Sequence, residues 1–288
     1  MALNLKNNLK WYLLLILVVI VGFVFYVVFI NEQRNYLTVA FLDVGQGDAI
    51  FIEAPNGNQV LIDGGPNRSV LRELGKVMSF FDRSIDLIIV THPDMDHIGG
   101  LPSVIENFKV DKIIKSDRKS ETPNYQILED LITKENFEEV SGQRGVKITL
   151  DKKKNIYLEI LLPDKNSETW NDNDYSIVTQ LVYGDSQFLM TGDISQSVEN
   201  YLIYLEGNQI ESDVLKIGHH GSKTSTSDLF INKVSPQYSI ISAEKDNNYG
   251  HPHQETLDTL EKYKTKILST YEKGIIMFKS NGKELFLK

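Results

Sequence analysis

The stretch THPDMDHIGG at residues 91–100, directly after the apolar run IDLIIV at residues 85–90, is the most informative part of this sequence. Four potential metal ligands fall within six residues at the exit of a predicted strand: His92, Asp94, Asp96 and His97. Because Pro93 disfavours helical continuation, the chain can turn tightly and direct these side chains inward. Imidazole and carboxylate together suit Zn²⁺, Mn²⁺ or Fe²⁺, so the stretch predicts a metal site. The alternative is a polar turn with capping aspartates and solvated histidines.

The other histidines are clustered as well. All six histidines of the chain fall in three short stretches, at residues 92–97, 219–220 and 251–253. Structural histidines should scatter along a sequence, so this clustering indicates a site. Asp193, in MTGD at residues 190–193, also follows an apolar run, although an N-cap for a helix near Ser195 would explain it alone. Open α/β folds bind ligands where strands end, so we expect these stretches to converge.

The composition excludes several chemistries and favours a folded globular protein. Of 288 residues, 41% are hydrophobic and 24% are charged, close to the average of globular domains. The absence of cysteine excludes disulfides, thiolate zinc sites and a cysteine nucleophile, so any metal must be held by nitrogen and oxygen atoms. A net charge of -9 argues against a strongly basic surface that coats nucleic acid.

Residues 11–30 contain no charged side chain and are dominated by Leu, Ile, Val and Phe. A helix of this length, rising about 1.5 Å per residue, spans the ~30 Å hydrocarbon core, which predicts a membrane anchor that contacts the lipid bilayer. A cleaved signal peptide and a buried core helix are the alternatives, but the run exceeds a signal-peptide core and has no polar stripe. Because Lys6 and Lys10 precede the run, we expect a single-pass cell-membrane protein with residues 1–10 in the cytoplasm and residues 36–288 outside.

Residues 36–288 alternate predicted strands with predicted helices, without internal repeats, which favours one α/β domain. The predicted strands cover residues 37–42, 49–53, 60–62, 85–90, 156–162, 176–182, 187–190, 214–217, 238–241 and 274–278. The predicted helices cover residues 69–80, 102–108, 124–134, 195–205, 228–234 and 255–263.

Five ordered motifs resemble the metallo-β-lactamase superfamily. They are FLDVGQGDA at residues 41–49, LIDGG at 61–65, THPDMDHIGG at 91–100, LMTGD at 189–193 and LKIGHHGS at 215–222. Within the superfamily, the motifs are most similar to the C-terminal domain of ComEC-type competence DNA-uptake proteins. The resemblance covers nearly all of the chain after the predicted anchor. It implies an αββα sandwich with a site for one or two divalent metal ions, Zn²⁺ or Mn²⁺, at one edge of the two sheets.

The resemblance also implies roles for individual side chains. The implied metal ligands are His92, Asp94, Asp96, His97, Asp193 and His219. His92 and Asp94 would bind one metal, Asp96 and His97 the second, and Asp193 would bridge the two. His219 is preferred as the remaining ligand, with its neighbour His220 as the alternative.

Further residues are implied to assist the reaction. His220 or His251 would protonate the leaving oxygen, and Asp96 would also be a catalytic residue. Asp48 and Asp63 would orient ligands.

The sequence departs from the usual pattern of the superfamily at two points. Asp94 stands where a histidine is common, and no histidine lies between His97 and His219, where residues 171–176 stand in place of a further ligand. A carboxylate in place of imidazole favours Mn²⁺ or weakens Zn²⁺ binding, so a single metal is an alternative to two. The true β-lactamases usually have both histidines, so we do not expect hydrolysis of β-lactams.

These observations favour a membrane-anchored phosphodiesterase or nuclease that uses a metal-bound hydroxide on single- or double-stranded DNA outside the membrane. The chain lacks the many spans of an uptake channel, so a separate channel protein is an expected partner. Residues 31–288 carry a charge of -11, from 28 basic and 39 acidic side chains, and no basic stripe is evident. The alternatives are a cell-envelope phosphodiesterase of the teichoic-acid type and a membrane-tethered binding module with a degraded site.

Overall fold

The computed structural model describes residues 5–33, 35–167 and 169–288, and within its first helix the side chains of residues 9–25. Two β-sheets of eight and seven strands stack face to face in this part of the chain, and helices cover their outer faces. The predicted αββα sandwich is therefore confirmed.

The first sheet combines antiparallel and parallel strands. Its order in space is β15-β14-β1-β2-β3-β4-β5-β6, with the bounds β1 Leu37–Phe41, β2 Ile50–Glu53, β3 Gln59–Ile62, β4 Ser84–Val90, β5 Lys109–Lys115, β6 Glu138–Ser141, β14 Ile276–Ser280 and β15 Leu285–Leu287. Strands β3 to β6 are parallel, and β1 runs in the same direction because two antiparallel steps separate it from β3. The carboxyl ends of β1 and β3 to β6 therefore share one edge of the sandwich.

The second sheet has the order β13-β12-β11-β10-β9-β8-β7, with the bounds β7 Lys147–Asp151, β8 Ile156–Leu162, β9 Val178–Tyr183, β10 Ser186–Met190, β11 Val214–Lys216, β12 Tyr238–Ile241 and β13 Lys266–Ser269. Strands β10 to β13 are parallel, and β8 shares their direction through the antiparallel β9. Their carboxyl ends meet those of the first sheet, as shown by the hydrogen bond from Ile177 N to Thr91 O at 3.1 Å. We call this common rim the carboxyl edge.

Nine α-helices are described, and six of them pack on the outer faces of the sheets. Their bounds are α1 Leu5–Gln33, α2 Ser69–Val77, α3 Met95–Ile98, α4 Leu101–Asn107, α5 Pro123–Glu135, α6 Gln196–Glu206, α7 Asp228–Val234, α8 Gln254–Lys262 and α9 Thr270–Lys273. Helices α2, α4 and α5 cover the first sheet, and α6, α7 and α8 cover the second. Between the sheets, Phe41 and Phe188 each meet the ring of Phe278 edge-on at 6.3 and 6.0 Å, in a core made of the inward-facing residues.

All ten predicted strands and all six predicted helices of the sandwich are present, with ends that differ by a few residues. Five strands were not predicted: β5, β6, β7, β13 and β15. Four of them carry charge in place of a clear apolar run, as in KVDKIIK of β5 and EEVS of β6, and β15 is a run of only three residues, LFL. Such strands lie towards the ends of the sheets, where one side of the strand faces water.

The N-terminal helix α1 contains the predicted anchor at residues 11–30. Among the described residues, no helix is long and apolar enough to cross a membrane. Residues 1–4 of the expected cytoplasmic segment and the side chains of residues 26–30 of the expected anchor lie outside the described part. Within residues 9–25, whose side chains are described, the apolar side chains are exposed, for example Trp11 at 62% and Phe25 at 71%.

Candidate metal centre

Loops at the carboxyl edge bring the predicted ligands together from both sheets. Asp63 follows β3, residues 91–97 follow β4, Asp193 follows β10, and residues 219–220 follow β11. Asp48 comes from the loop between β1 and β2. The convergence expected from the ends of the strands is therefore present.

Three buried side chains form a compact triangle of donor atoms. His97 Nε2 lies 3.3 Å from His220 Nε2, and Asp193 Oδ2 lies 3.4 Å from the first and 3.3 Å from the second. Asp96 Oδ2 is a further 3.2 Å from His220 Nε2. Donor atoms that share one tetrahedral ion at about 2.0–2.1 Å stand roughly 3.3 Å apart. The spacing of the triangle therefore fits a single bound metal ion.

Hydrogen bonds fix the two triangle histidines with Nε2 facing inward. His97 Nδ1 lies 2.8 Å from Asp63 Oδ2, which can only accept a hydrogen bond as a carboxylate, so Nδ1 is the donor. His220 Nδ1 donates in the same way to the Ser242 carbonyl at 2.9 Å. Both Nε2 atoms therefore face Asp193 Oδ2, where each can hold a proton or bind a cation.

His92 is held in the same orientation by two hydroxyl groups. Thr91 Oγ1 donates to Asp63 Oδ2 at 2.6 Å, and Ser176 Oγ donates to the Asn173 carbonyl at 2.6 Å. Because both hydroxyl protons are used, these oxygens accept from His92 Nδ1, at 3.0 and 3.2 Å. His92 Nε2 has no hydrogen-bond partner among the described residues although it is buried. A buried lone pair without a partner is costly, and a metal ion would satisfy it.

A looser, outer set of donors shares Asp193 with the triangle. Asp193 Oδ2 lies 3.9 Å from His92 Nε2 and 3.9 Å from His219 Nε2, and Asp94 Oδ2 lies 3.9 Å from His92 Nε2. Asp193 therefore lies between the two sets, as expected of a bridging ligand. His220, with a side chain 1% exposed, belongs to the inner set, whereas His219, at 31%, belongs to the outer set.

The backbone is held in an unusual conformation at this point. Asp63, His219 and His220 have φ values of 58°, 48° and 54°, in the left-handed region that L-residues rarely adopt. Such conformations cost free energy and persist where the surroundings impose them, often at functional sites. The turn at residues 218–221 thereby directs two neighbouring imidazoles to different parts of the centre.

The charges of the triangle are strongly coupled. Burial alone would raise the pKa of the Asp193 carboxyl, but the His220 and His97 imidazoles hold that pKa well below its usual range. Burial lowers the pKa values of His97 and His220, yet Asp193 outweighs it and raises both well above the ordinary value. Burial and the His97 charge lower the pKa of His92 to about 3. Protons and metal ions therefore compete for the inner Nε2 atoms.

Lys216 is a buried partner of the centre that the sequence motifs did not single out. Its Nζ lies 2.8 Å from Asp48 Oδ2 and donates to the Ile217 carbonyl at 2.8 Å. Burial raises the pKa of Asp48, but the Lys216 charge and the nearby His220 imidazole, whose Nδ1 lies 3.5 Å from Asp48 Oδ1, bring it down to about 2. Asp48, His97, Asp193 and His220 place one donor atom each within 4.8 Å of one another. Asp48 is ion-paired with Lys216, and the orienting role expected for it stays a prediction.

The loop after β12 forms one wall of the centre. The His251 ring lies 5.5 Å from the His219 ring and 6.4 Å from the His220 ring. Burial and the neighbouring imidazoles lower the pKa of His251 to about 4, so the ring is uncharged at neutral pH. Tyr249, 66% exposed, stacks on His251 with the ring centroids 5.7 Å apart.

All the residues proposed from sequence as ligands or catalytic groups surround this centre. The supporting residues Thr91, Ser176 and Lys216 were missed, because hydroxyl and amine side chains next to strands carry no distinctive spacing. Ser176 ends the segment at residues 171–176 that stands in place of the further histidine. It supports His92 and accepts from Asp193 N at 3.2 Å.

A two-sheet sandwich with histidines and carboxylates gathered at one edge is the architecture of a class of metal-dependent hydrolases. Residues 42–244 match the family model of the Metallo-beta-lactamase superfamily, and the chain belongs to this superfamily.

Two curated relatives are similar over most of the chain. It is 31% identical over 258 residues to "ComE operon protein 3" of Bacillus subtilis (strain 168), covering 84% of this chain and 33% of that protein. It is 29% identical over 248 residues to "Competence protein ComA" of Neisseria gonorrhoeae, covering 85% of this chain and 32% of that protein. The chain thus spans about a third of the length of these relatives.

Among solved structures, a long form RNase Z from yeast superposes with a TM-score of 0.53, over 85% of this chain and 42% of that chain. At 11% sequence identity, this likeness concerns the fold alone.

Proposed function

We propose that this protein is a metal-dependent phosphodiesterase that cleaves DNA. The observation that carries the metal-dependent chemistry is the triangle of His97 Nε2, His220 Nε2 and Asp193 Oδ2, with sides of 3.3, 3.4 and 3.3 Å. DNA is proposed as the substrate because one relative of similar sequence is named a competence protein. The intact donor sets favour an enzyme over a binding module with a degraded site.

The residues present divide into two metal-binding sets. The inner set would be Asp96, His97, Asp193 and His220, and the outer set His92, Asp94, Asp193 and His219. When bound, Zn²⁺ or Mn²⁺ would stabilise charge that develops on phosphoryl oxygens and lower the pKa of water. Asp63 and Ser242 keep the inner imidazoles oriented by accepting their Nδ1 protons.

Other side chains would orient water and move protons. Asp193 Oδ1 has no hydrogen-bond partner among the described residues, so it can accept one from a water molecule at the centre. Of the two histidines proposed to protonate the leaving oxygen, His220 already has close polar neighbours at both ring nitrogens. His251 Nδ1 has no partner within the described residues. Because His251 is uncharged at neutral pH, it would act as the acid only where the negative charge of a bound phosphate raises its pKa from about 4.

The test uses the full chain, stripped of metal with a chelator and reloaded with Mn²⁺ or Zn²⁺. We expect metal-dependent cleavage of bis-p-nitrophenyl phosphate and of a labelled DNA strand, lost in Asp193→Ala and in His97→Ala. Asp86→Asn is the matched control, because this carboxylate accepts from Gln59 N at 2.6 Å near the start of β4, at the edge opposite the centre. Absence of cleavage by a folded, metal-loaded protein would contradict the proposed phosphodiesterase activity.

The same assay addresses the alternatives. Cleavage of a glycerol-phosphate polymer in preference to DNA would indicate the cell-envelope phosphodiesterase. A folded protein that neither cleaves these substrates nor binds metal would be a binding module.

We also propose that residues 11–30 anchor the protein as a single span, with residues 1–10 in the cytoplasm and residues 36–288 outside. The proposal is supported by the absence of charge in this segment and by its exposed apolar side chains. A separate channel protein is the partner proposed for DNA transfer. Membrane fractionation with protease added to intact cells tests the topology. A protein that stays in the soluble fraction would contradict it.

A further inference from the structure

We propose that a cavity beside the metal centre is a groove that binds the phosphate backbone of a single nucleic-acid strand. The cavity has a volume of about 1010 Å³ and is lined by residues from the loops that follow β5, β6 and β8. Four of these residues are cationic: Arg118, Lys119, Arg144 and Lys165. We call the cavity the cationic groove. The inference rests on the proposed function, because it assigns the substrate class to a surface next to the same centre.

The two arginines of the cationic groove are already engaged by other side chains, whereas its two lysines are available to a ligand. Arg118 stacks over the Tyr175 ring at 4.6 Å, and Arg144 is paired with Glu206. Lys119 and Lys165 are exposed, and neither makes an ion pair with another residue within the described ranges.

The two carboxylates that line the cavity already have partners. Asp117 accepts from Ser141 Oγ at 2.7 Å and from Gln143 Nε2 at 2.8 Å, and Asp164 accepts from Tyr201 OH at 2.7 Å. These carboxylates keep their charge, and the two arginines are ion-paired, Arg118 with Asp172 at 3.5 Å and Arg144 with Glu206. The positive charge that the cavity offers to a ligand is therefore that of Lys119 and Lys165, which suits the phosphates of an anionic strand.

The cationic groove lies next to the metal centre. Tyr175 lines the groove with a buried side chain, and the next residue, Ser176, is 3.2 Å from the Nδ1 atom of His92. Ser116, immediately before the groove residues of the β5 loop, donates from its backbone N to Val90 O at 3.3 Å, next to the ligand loop. A strand held in the groove would therefore lie beside the ligand loops.

The order of loops along the carboxyl edge favours a nucleic acid over a polymer without bases. In the second sheet, β12 carries the loop with Tyr249, β10 and β11 carry metal ligands, and β8 carries Lys165. The exposed ring of Tyr249, stacked on His251, thus lies on one side of the centre and the cations lie on the other. Aromatic faces stack on bases, and lysines contact the backbone of single strands.

The experiment measures binding of a fluorescein-labelled single-stranded oligodeoxynucleotide to the full chain by fluorescence anisotropy, with chelator present so that cleavage does not contribute. The variant is Lys119→Gln combined with Lys165→Gln. Each lost phosphate contact should weaken binding roughly fivefold at 0.1 M salt, so the pair should weaken it about 25-fold and lower the salt slope by about 1.4. The matched control is Lys152→Gln with Lys153→Gln, two exposed lysines in the turn before β8, at the opposite edge.

The outcomes separate this inference from the proposed function. Weaker binding in the groove variant alone supports the inference, even if the wild-type protein fails to hydrolyse bis-p-nitrophenyl phosphate. Equal binding by groove variant and wild type, an equal loss in the control, or no binding of DNA by the wild type would overturn it. A glycerol-phosphate polymer that binds in the groove while DNA does not would replace the nucleic acid as its ligand.

Discussion

Neighbouring residues in this protein have different roles because of backbone geometry. His219 and His220 are adjacent, yet their left-handed φ values direct one ring to the outer donor set and the other into the inner triangle. The motif at residues 215–222 predicted that one of the two is a ligand, but the choice depends on φ and on Ser242, neither of which the sequence displays.

The first prediction compares these two histidines. His220→Ala removes an atom of the inner triangle, so we expect metal affinity to fall by at least roughly tenfold. His219→Ala removes an outer donor 3.9 Å from Asp193, and should retain tight binding of one ion per chain. Titration against a chromophoric chelator measures both. A larger loss of the tightest-bound ion in His219→Ala would reverse the assignment.

A second prediction concerns Gly47 in the motif at residues 41–49. A Cβ added to Gly47, which has φ +121°, would lie 2.0 Å from the backbone oxygen of Asp96. We expect Gly47→Ala to displace Asp96 and to weaken metal binding. Gly45→Ala is the control, because Gly45 has φ +85° but nothing within 4 Å of its Cβ position.

Both glycine variants should lose roughly 1 kcal/mol of unfolding free energy from backbone strain alone. Urea unfolding and metal titration together separate the two effects. Unchanged metal affinity in Gly47→Ala would show that Asp96 is not held through this contact.

At the scale of elements, Glu199 connects helix α6 to the loop that follows the histidine turn. Its carboxylate accepts from Ser227 N at 2.8 Å and also from Thr226 N, while Ser225 Oγ donates to Gly218 O at 2.7 Å. The turn that carries His219 and His220 is thereby tied to the helix layer. A sequence pattern shows the helix but not this buried connection.

The third prediction follows from the buried position of Glu199. Burial raises the pKa of this carboxyl from 4.5 to about 7, against the hydrogen bonds from Ser227 and Thr226. The folded state holds the proton more tightly, so the contribution to stability is complete below pH 4.5 and is lost as the pH rises through about 7. The loss amounts to about 3 kcal/mol.

Urea unfolding of the wild type and of Glu199→Gln between pH 4 and pH 8 checks this expectation. The free energy of unfolding should fall more steeply with pH in the wild type than in Glu199→Gln, which lacks the titrating proton. Parallel curves would contradict the raised pKa of Glu199.

Regular elements were predictable where local pattern and burial agree. The apolar runs of β4, β8 and β10 predicted strands that are present, and the motifs after β4 and β10 predicted residues that lie around the centre. The charged β6 could not be recognised from its own pattern, since it depends on pairing with β5 across helix α5. β7 forms a hairpin with the adjacent β8 and was missed because a charged residue stands at each of its ends.

For the whole molecule, the main consequence of the sandwich is that two sheets contribute ligands to one centre. Asp96 and His97 follow β4 of the first sheet, whereas Asp193 and His220 follow strands of the second. A metal ion held by both would link the sheets. Binding to the folded state alone would then stabilise the entire sandwich.

The fourth prediction is a stabilisation by metal. At a metal concentration about 100 times the dissociation constant, the folded state should gain about 2.7 kcal/mol. For a protein of this size, that gain corresponds to an increase of Tm by roughly 5–10 °C. Differential scanning fluorimetry with chelator, Mn²⁺ or Zn²⁺ measures it, and Asp193→Asn should abolish most of the shift. An identical shift in Asp193→Asn would place the stabilising ion elsewhere.

The cationic groove is also a feature of the whole folded molecule and not of any single segment. Its cations lie at positions 118, 119, 144 and 165, so no basic stripe is visible in the sequence, and folding alone brings them into one cavity. The negative net charge argues against a basic coat, but it says nothing about a pocket that holds a few lysines unpaired within the described residues.

The direction of β1 has a practical consequence. β1 begins at Leu37 on the edge opposite the ligand loops, so the chain enters the sandwich from behind the centre. A biosensor chip or bead coupled on that side would leave the carboxyl edge accessible to long ligands, whereas coupling through loops near residues 119 or 165 would block access to it. Immobilised formats that hold the protein by its N-terminal side are therefore compatible with measuring polymer capture.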